Sequence, residues 1–126
     1  MIKIQDLKAL VGGKYEETDI KGNYLNCFSP VYLIYPNAPK FKKPKGNRCF
    51  DYALLKVKKY CSEIPKEDMK PFDIIVFYKV FRAMHIGIYL GDGLIFHCGL
   101  DKKYQIIRLV KYYEFIKGVF RYNEKE

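Results

Sequence analysis

The chain has no tryptophan, only two histidines and no Cys-x-x-Cys pair, and its 14 acidic residues are outnumbered by 23 basic ones. Each shortage excludes something. No apolar run approaches the roughly 18 to 20 residues that a membrane-spanning helix needs. Charge within Met1-Ile2-Lys3-Ile4-Gln5-Asp6 interrupts the apolar core of an export signal. This predicts a chain made in the cytoplasm without a signal peptide. Two histidines and no paired cysteines do not supply the ligand spacing of a structural zinc site, so neither a metal nor a cofactor is expected. The four cysteines, Cys27, Cys49, Cys61 and Cys98, occur in a chain long enough to build its own core. They read as free thiols rather than a disulfide framework.

What is present suits a packed domain. Of 126 residues, 49% are hydrophobic and 17% aromatic, with 12 Tyr and 9 Phe. One domain spanning 1–126 is expected, because a second core would leave each half unusually small. The net charge of +9 favours anionic partners. Five basic residues, Lys40, Lys42, Lys43, Lys45 and Arg48, crowd a proline-rich stretch that reads as an exposed loop. Phe41 is the one aromatic beside them, too little for a base-stacking platform. A solvated loop, or one that holds an anionic wall polymer such as a teichoic acid, suits these residues better than a nucleic-acid site.

The apolar pattern changes period along the chain. Ile4, Leu7, Leu10 and Val11 recur at helical spacing and stop at Gly12-Gly13. A second helix is expected from Cys27 through Val31, Ile34 and Tyr35, with Asn26 as N-cap and Pro30 in the first turn. A third carries Phe50, Ala53, Leu54, Val57 and Cys61 on one face. From Asp73 the pattern is that of strands: Asp73–Lys79 apolar on both faces, Met84–Leu90 and Leu94–Cys98 around Gly91-Asp92-Gly93, then Tyr104–Val110 and a short Gly118–Tyr122. Helices first and a mainly antiparallel sheet afterwards indicate an α+β fold.

Alternation along the hairpin puts Ile86, Ile88 and Leu90 on one face and His85, Gly87 and Tyr89 on the other. On the second strand Leu94, Phe96 and Cys98 form the apolar set, opposite Ile95 and His97. A three-residue loop, Gly91–Gly93, would place Gly87 across from His97, making the two histidines diagonal neighbours on one face. A two-residue Asp92-Gly93 turn would break that register. Cys27 supplies a complementary element, since a thiol in the first helical turn sees the positive end of the dipole and is acidified further by a cationic histidine. Cys61 and Cys98 lie on apolar faces and read as core residues.

A helix-start cysteine, a strand histidine and a polar residue on the next strand form a nucleophile, base and orienter set. At this point the sequence resembles the NlpC-type papain-like cysteine peptidases, bacterial cell-wall endopeptidases. Asn26-Cys27-Phe28-Ser29-Pro30-Val31 looks like their nucleophile motif, and Met84–Gly93 with Ile95-Phe96-His97 looks like their second and third motifs. Lys70–Phe77 resembles the family's Pro-Gly-Asp strand start, and Arg108–Val110 through Gly118–Arg121 its closing segment. The resemblance implies a papain-like fold with the nucleophile helix packed on the sheet. It implies Cys27 as nucleophile, His85 as general base and acid, and His97 as the residue orienting the imidazole. It also implies Tyr15 as a substrate or oxyanion residue and an amide in the peptide stem of peptidoglycan as substrate, with action at a cell wall or in a phage particle. Three departures stand out: Asn26 replaces an Asp, Phe28-Ser29 replaces Ser-Gly or Trp-Gly, and Phe72 replaces a Gly. They leave the catalytic set intact and fall on the set that would define the usual γ-D-glutamyl-diamino-acid specificity. Phe28 and the absent signal are closer to the phage-tail members of the family.

Two other classes of function fit the same residues. One is an acyl transferase or thioesterase using the same three side chains, which a long apolar channel beside Cys27 would favour. The other is a non-catalytic assembly module, for example in a phage tail, with an unreactive Cys27.

Overall fold

The computed structural model describes residues 2–13, 29–38, 55, 57–80, 83–99 and 103–123. The first helix, α1 (Ile4–Ala9), starts where the Lys3 N–H donates to the Asp6 carboxylate at 2.9 Å and ends before Gly12, whose φ is 86°. It buries Leu7 and exposes its charged residues. The second, α2 (Ser29–Ile34), has Pro30 in its first turn and buries every residue but Leu33. Residues 57–60 are also helical.

Six strands follow: β1 (Cys61–Ile64), β2 (Ile74–Val80), β3 (Ala83–Gly91), β4 (Leu94–Cys98), β5 (Tyr104–Arg108) and β6 (Ile116–Tyr122). They form one sheet in the order β1-β6-β2-β3-β4-β5, and every neighbouring pair is antiparallel. The mainly antiparallel sheet is as the sequence indicates. Three details differ. Cys61, expected on a helical face, opens β1 opposite Tyr122. The final strand starts at Ile116 and lies inside the sheet, between β1 and β2. Leu109 and Val110, expected to continue β5, belong to a 3-10 turn over Leu109–Lys111.

The sheet is apolar on both faces because both are covered. On one, Ile74, Val76, Ile86, Ile88, Phe96 and Phe120 pack with Leu7 of α1 and Val31, Tyr32 and Ile34 of α2. On the other, Ile75, Phe77, Ile95, Ile116 and Val119 form a smaller core, against which Tyr89, Ile107, Leu109 and Tyr112 pack. Residues 109–115, two 3-10 turns, cross this second face from the end of β5 to the start of β6.

The start of β2 is fixed by an ion pair between a buried carboxylate and a partly exposed guanidinium. Asp73, 2% exposed, accepts two hydrogen bonds from Arg121, Nε to Oδ1 and Nη2 to Oδ2, both 2.9 Å. Such a two-point contact suits the planar guanidinium and ties β2 to β6. Asp73 Oδ2 also accepts the Lys70 N–H at 2.8 Å. Phe72, just before it, has φ 76°, a left-handed conformation that L residues rarely adopt. Glycine would take this conformation without strain, and here a phenylalanine holds it.

Candidate active site

The β3–β4 hairpin sets the geometry. Ile88 pairs with Phe96 and Tyr89 with Ile95, so Gly87 faces His97 if the ladder is continued, as the alternation predicts. The turn is nonetheless the two-residue form: Gly91 pairs with Leu94, and Asp92 and Gly93 have φ 53° and 73°. A bulge between Tyr89 and Gly91, with Gly91 at φ 90°, inserts the extra residue that restores the register. The expected three-residue loop is thus corrected to a two-residue turn plus a bulge, and the histidines meet all the same.

His85 Nε2 lies 2.6 Å from His97 Nδ1, with the rings nearly perpendicular at 87°. Both are buried, at 7% and 1% exposure. His85 pairs across β2 with Phe77, and the Phe77 ring meets Tyr112 edge to face at 6.4 Å. Between the histidine and Tyr89, Gly87 keeps the surface low. A Cβ there would clash with Cγ2 of Ile95 and stand 3.4 Å from the Phe77 ring. These contacts make a close-packed wall beside the pair.

No protein-family model matches the chain, and no curated protein matches it. Among solved structures, NlpC1 from Trichomonas vaginalis is similar, with a TM-score of 0.52 and 18% sequence identity over 97% of this chain. The fold is NlpC-like. At that identity the likeness speaks for the fold alone, and the chain spans 43% of the length of the NlpC1 chain.

Within this NlpC-like fold, two neutral imidazoles joined nitrogen to nitrogen require one donor and one acceptor. Burial first, and the neighbouring His97 second, push the His85 pKa from 6.5 down to about 3. A proton on His85 therefore needs an adjacent anion. The 2.6 Å separation is also shorter than the roughly 3.3 Å between two nitrogens ligating one tetrahedral zinc. The pair is arranged as a hydrogen bond and not as two ligands of one ion.

The sequence names further site residues that lie outside the described residues: Cys27, Tyr15, Asn26, Lys40, Lys42, Lys43, Lys45 and Arg48. Ser29, two residues after Cys27, begins the described part of α2, and α2 packs against β3 and β4, the two histidine strands. Its partners there, Ile86, Ile88, Phe96 and Cys98, alternate with His85 and His97 and so belong to the opposite face. Cys61 is buried, and burial followed by the charge of Asp73 pushes its thiol up to about 12. That is a core thiol, as its apolar position suggests. The Asp73–Arg121 pair is not legible as an interaction, since nothing local in the sequence brings residues 48 positions apart together.

Proposed function

We propose that the protein is a cysteine hydrolase that cleaves an amide bond in the peptide stem of peptidoglycan, on a papain-like α+β fold. The observation that carries this reading is the buried His85–His97 hydrogen bond on adjacent strands, one imidazole set to hold the other. His85 engages His97 through Nε2, so Nδ1 is the nitrogen through which it would exchange a proton with a nucleophile. For that exchange His85 must donate Nε2–H to His97 Nδ1, and His97 must be neutral with its own hydrogen on Nε2.

The chemistry follows from this polarity. Cys27 loses its proton to His85 Nδ1, and the thiolate attacks the substrate carbonyl carbon. When the tetrahedral intermediate collapses, the C–N bond breaks, and His85 passes the proton to the departing amine. A thioester remains on Cys27. His85 then takes a proton from water, the hydroxide adds to the thioester, and the acid leaves as the proton returns to the thiolate. His97 holds the ring of His85 throughout. Asn26 and Tyr15 are placed by resemblance at the substrate, and the basic residues 40–48 would hold the enzyme against an anionic wall.

A second reading has one observation in its favour. Exposures of 7% and 1% also suit a pair that merely pins β3 to β4 in an assembly module. Alkylation by iodoacetamide, followed by mass spectrometry across pH, separates the two. Selective labelling of Cys27 at pH 6, lost in His85→Ala, is expected of an activated thiolate. Cys61 is the internal control, since its raised pKa keeps it protonated and slow. Cys27 labelling no faster than Cys61, or unchanged by His85→Ala, would assign the pair a structural role.

A further inference from the structure

A groove of about 760 Å³ lies at the other end of the β3–β4 hairpin from the histidines. Seven residues of nearly extended chain separate His85 from Asp92, roughly 23 Å. The groove shares no residue with the histidine pair, so its role is independent of the hydrolase reading. Its walls are joined by the Leu109 N–H, which donates to the Gly93 carbonyl at 2.8 Å. Leu109, Val110 and Tyr113 give it an apolar side, and Val110 is 78% exposed. The Tyr113 ring is held by Lys66, whose Nζ stands 4.9 Å from its centroid.

The polar side carries both signs of charge: Asp92, Arg108 and Glu114. None of the three is in an ion pair with another described residue; the pair found among the described residues joins Arg121 to Asp73. An anionic polymer entering here would meet two carboxylates, and a polyamine would meet the guanidinium. A neutral sugar would cover three charges without compensating any of them, which is unfavourable. A ligand with a carboxylate and an ammonium separated by small apolar groups meets every feature. We infer that the groove binds a short peptide with free ends, its carboxylate on Arg108, its ammonium on Asp92 and Glu114, and its side chains on Leu109, Val110 and Tyr113. Arg108 offers the carboxylate a two-point, charge-assisted contact.

The test is an amide NMR titration of the full chain with L-alanyl-L-alanyl-L-alanine, its N-acetyl form, its C-terminal amide and the neutral disaccharide N,N′-diacetylchitobiose. Saturable shifts at Gly93, Val110 and Glu114 are expected with the free-ended tripeptide, and about tenfold weaker binding when either end is capped. Arg108→Gln should weaken the free-ended peptide about tenfold and abolish its advantage over the amide. Asp92→Asn with Glu114→Gln should abolish the advantage over the N-acetyl form, while His85→Ala should change nothing in the groove. Absence of shifts at millimolar peptide, or tighter binding of the disaccharide, would overturn the inference. So would groove resonances that move with protein concentration alone, which would give the surface to a second copy. The capped peptides make the same distinction on the unaltered protein, whatever the variants do to folding.

Discussion

Under α1 and α2 the sheet presents Ile74, Val76, Ile86, Ile88, Phe96 and Phe120, side chains with no polar atom, whereas its opposite face sets Ile75, Phe77 and Ile95 around two histidines. The same strands supply both, because each residue's neighbour in sequence points the other way. Burial serves different ends on the two faces. On the first it removes apolar area from water, at about 25 cal/mol per Å². On the second it withholds water from two imidazoles, which holds His85 neutral and makes its hydrogen bond to His97 necessary.

Exchanging losses between the faces tests that division most strongly. His85→Ala should lower cleavage of a peptidoglycan stem peptide by about a hundred- to ten-thousand-fold, the usual contribution of a general acid-base residue. Ile88→Ala, on the same strand but the other face, should instead cost roughly 2–5 kcal/mol of stability. It should leave the pH profile of Cys27 alkylation in place. Urea unfolding and turnover measured on both variants would undo the division between the faces if the two losses were not separable.

Acid should reach only the second face. His85 ordinarily titrates near 6.5 and in the fold near 3, so between those values the unfolded chain binds a proton that the folded chain does not. Stability from this group is therefore complete above about pH 6.5 and falls as pH drops towards 3. A loss of roughly 5 kcal/mol is expected over that window at about 1.4 kcal/mol per pH unit. His85→Gln should flatten the slope of urea midpoint against pH, and an unchanged slope would remove His85 as its source.

Gly87→Ala probes the boundary of the histidine wall. The added methyl meets Cγ2 of Ile95, which is fully buried and cannot swing aside. A cost of about 1–3 kcal/mol is expected from overpacking. Combining it with Ile95→Ala should recover part of that loss, so a double-mutant cycle reads the contact directly. Strict additivity would mean that Gly87 is required for another reason.

The histidine pair is legible in the sequence because alternation and a short turn are local: residues 85 and 97 are twelve apart, and the pleat alone puts them on one face. Even so, the register survives through a bulge at Leu90 that alternation does not encode. Cys61 reads as a helix residue because Leu54, Val57 and Cys61 continue a helical spacing, and only pairing with Tyr122, far along the chain, makes it a strand residue. The position of β6 inside the sheet is non-local in the same way. The groove at Asp92, Arg108 and Glu114 joins a turn, a strand end and a 3-10 segment, and no single stretch of sequence contains it.

Phe72 is where local preference and fold disagree, and it gives the smallest and most pointed effect. Its φ of 76° carries a cost of about 1–2 kcal/mol for a residue with a Cβ. Two backbone contacts hold it there regardless of side chain. Its N–H donates to the Tyr89 carbonyl at 2.7 Å, and its carbonyl accepts the Tyr35 hydroxyl at 2.8 Å. The ring offsets the strain by packing partly buried against the first-face core. Phe72→Ala keeps the strain and loses the packing, while Phe72→Gly loses both and adds freedom to the unfolded chain. Glycine should therefore be more stable than alanine here by about 1 kcal/mol, the reverse of their order in regular secondary structure. Thermal unfolding of the two variants measures this. Alanine equal to or above glycine would mean that residue 72 is not held in the left-handed region, and that the turn into β2 is fixed by the Asp73–Arg121 pair alone.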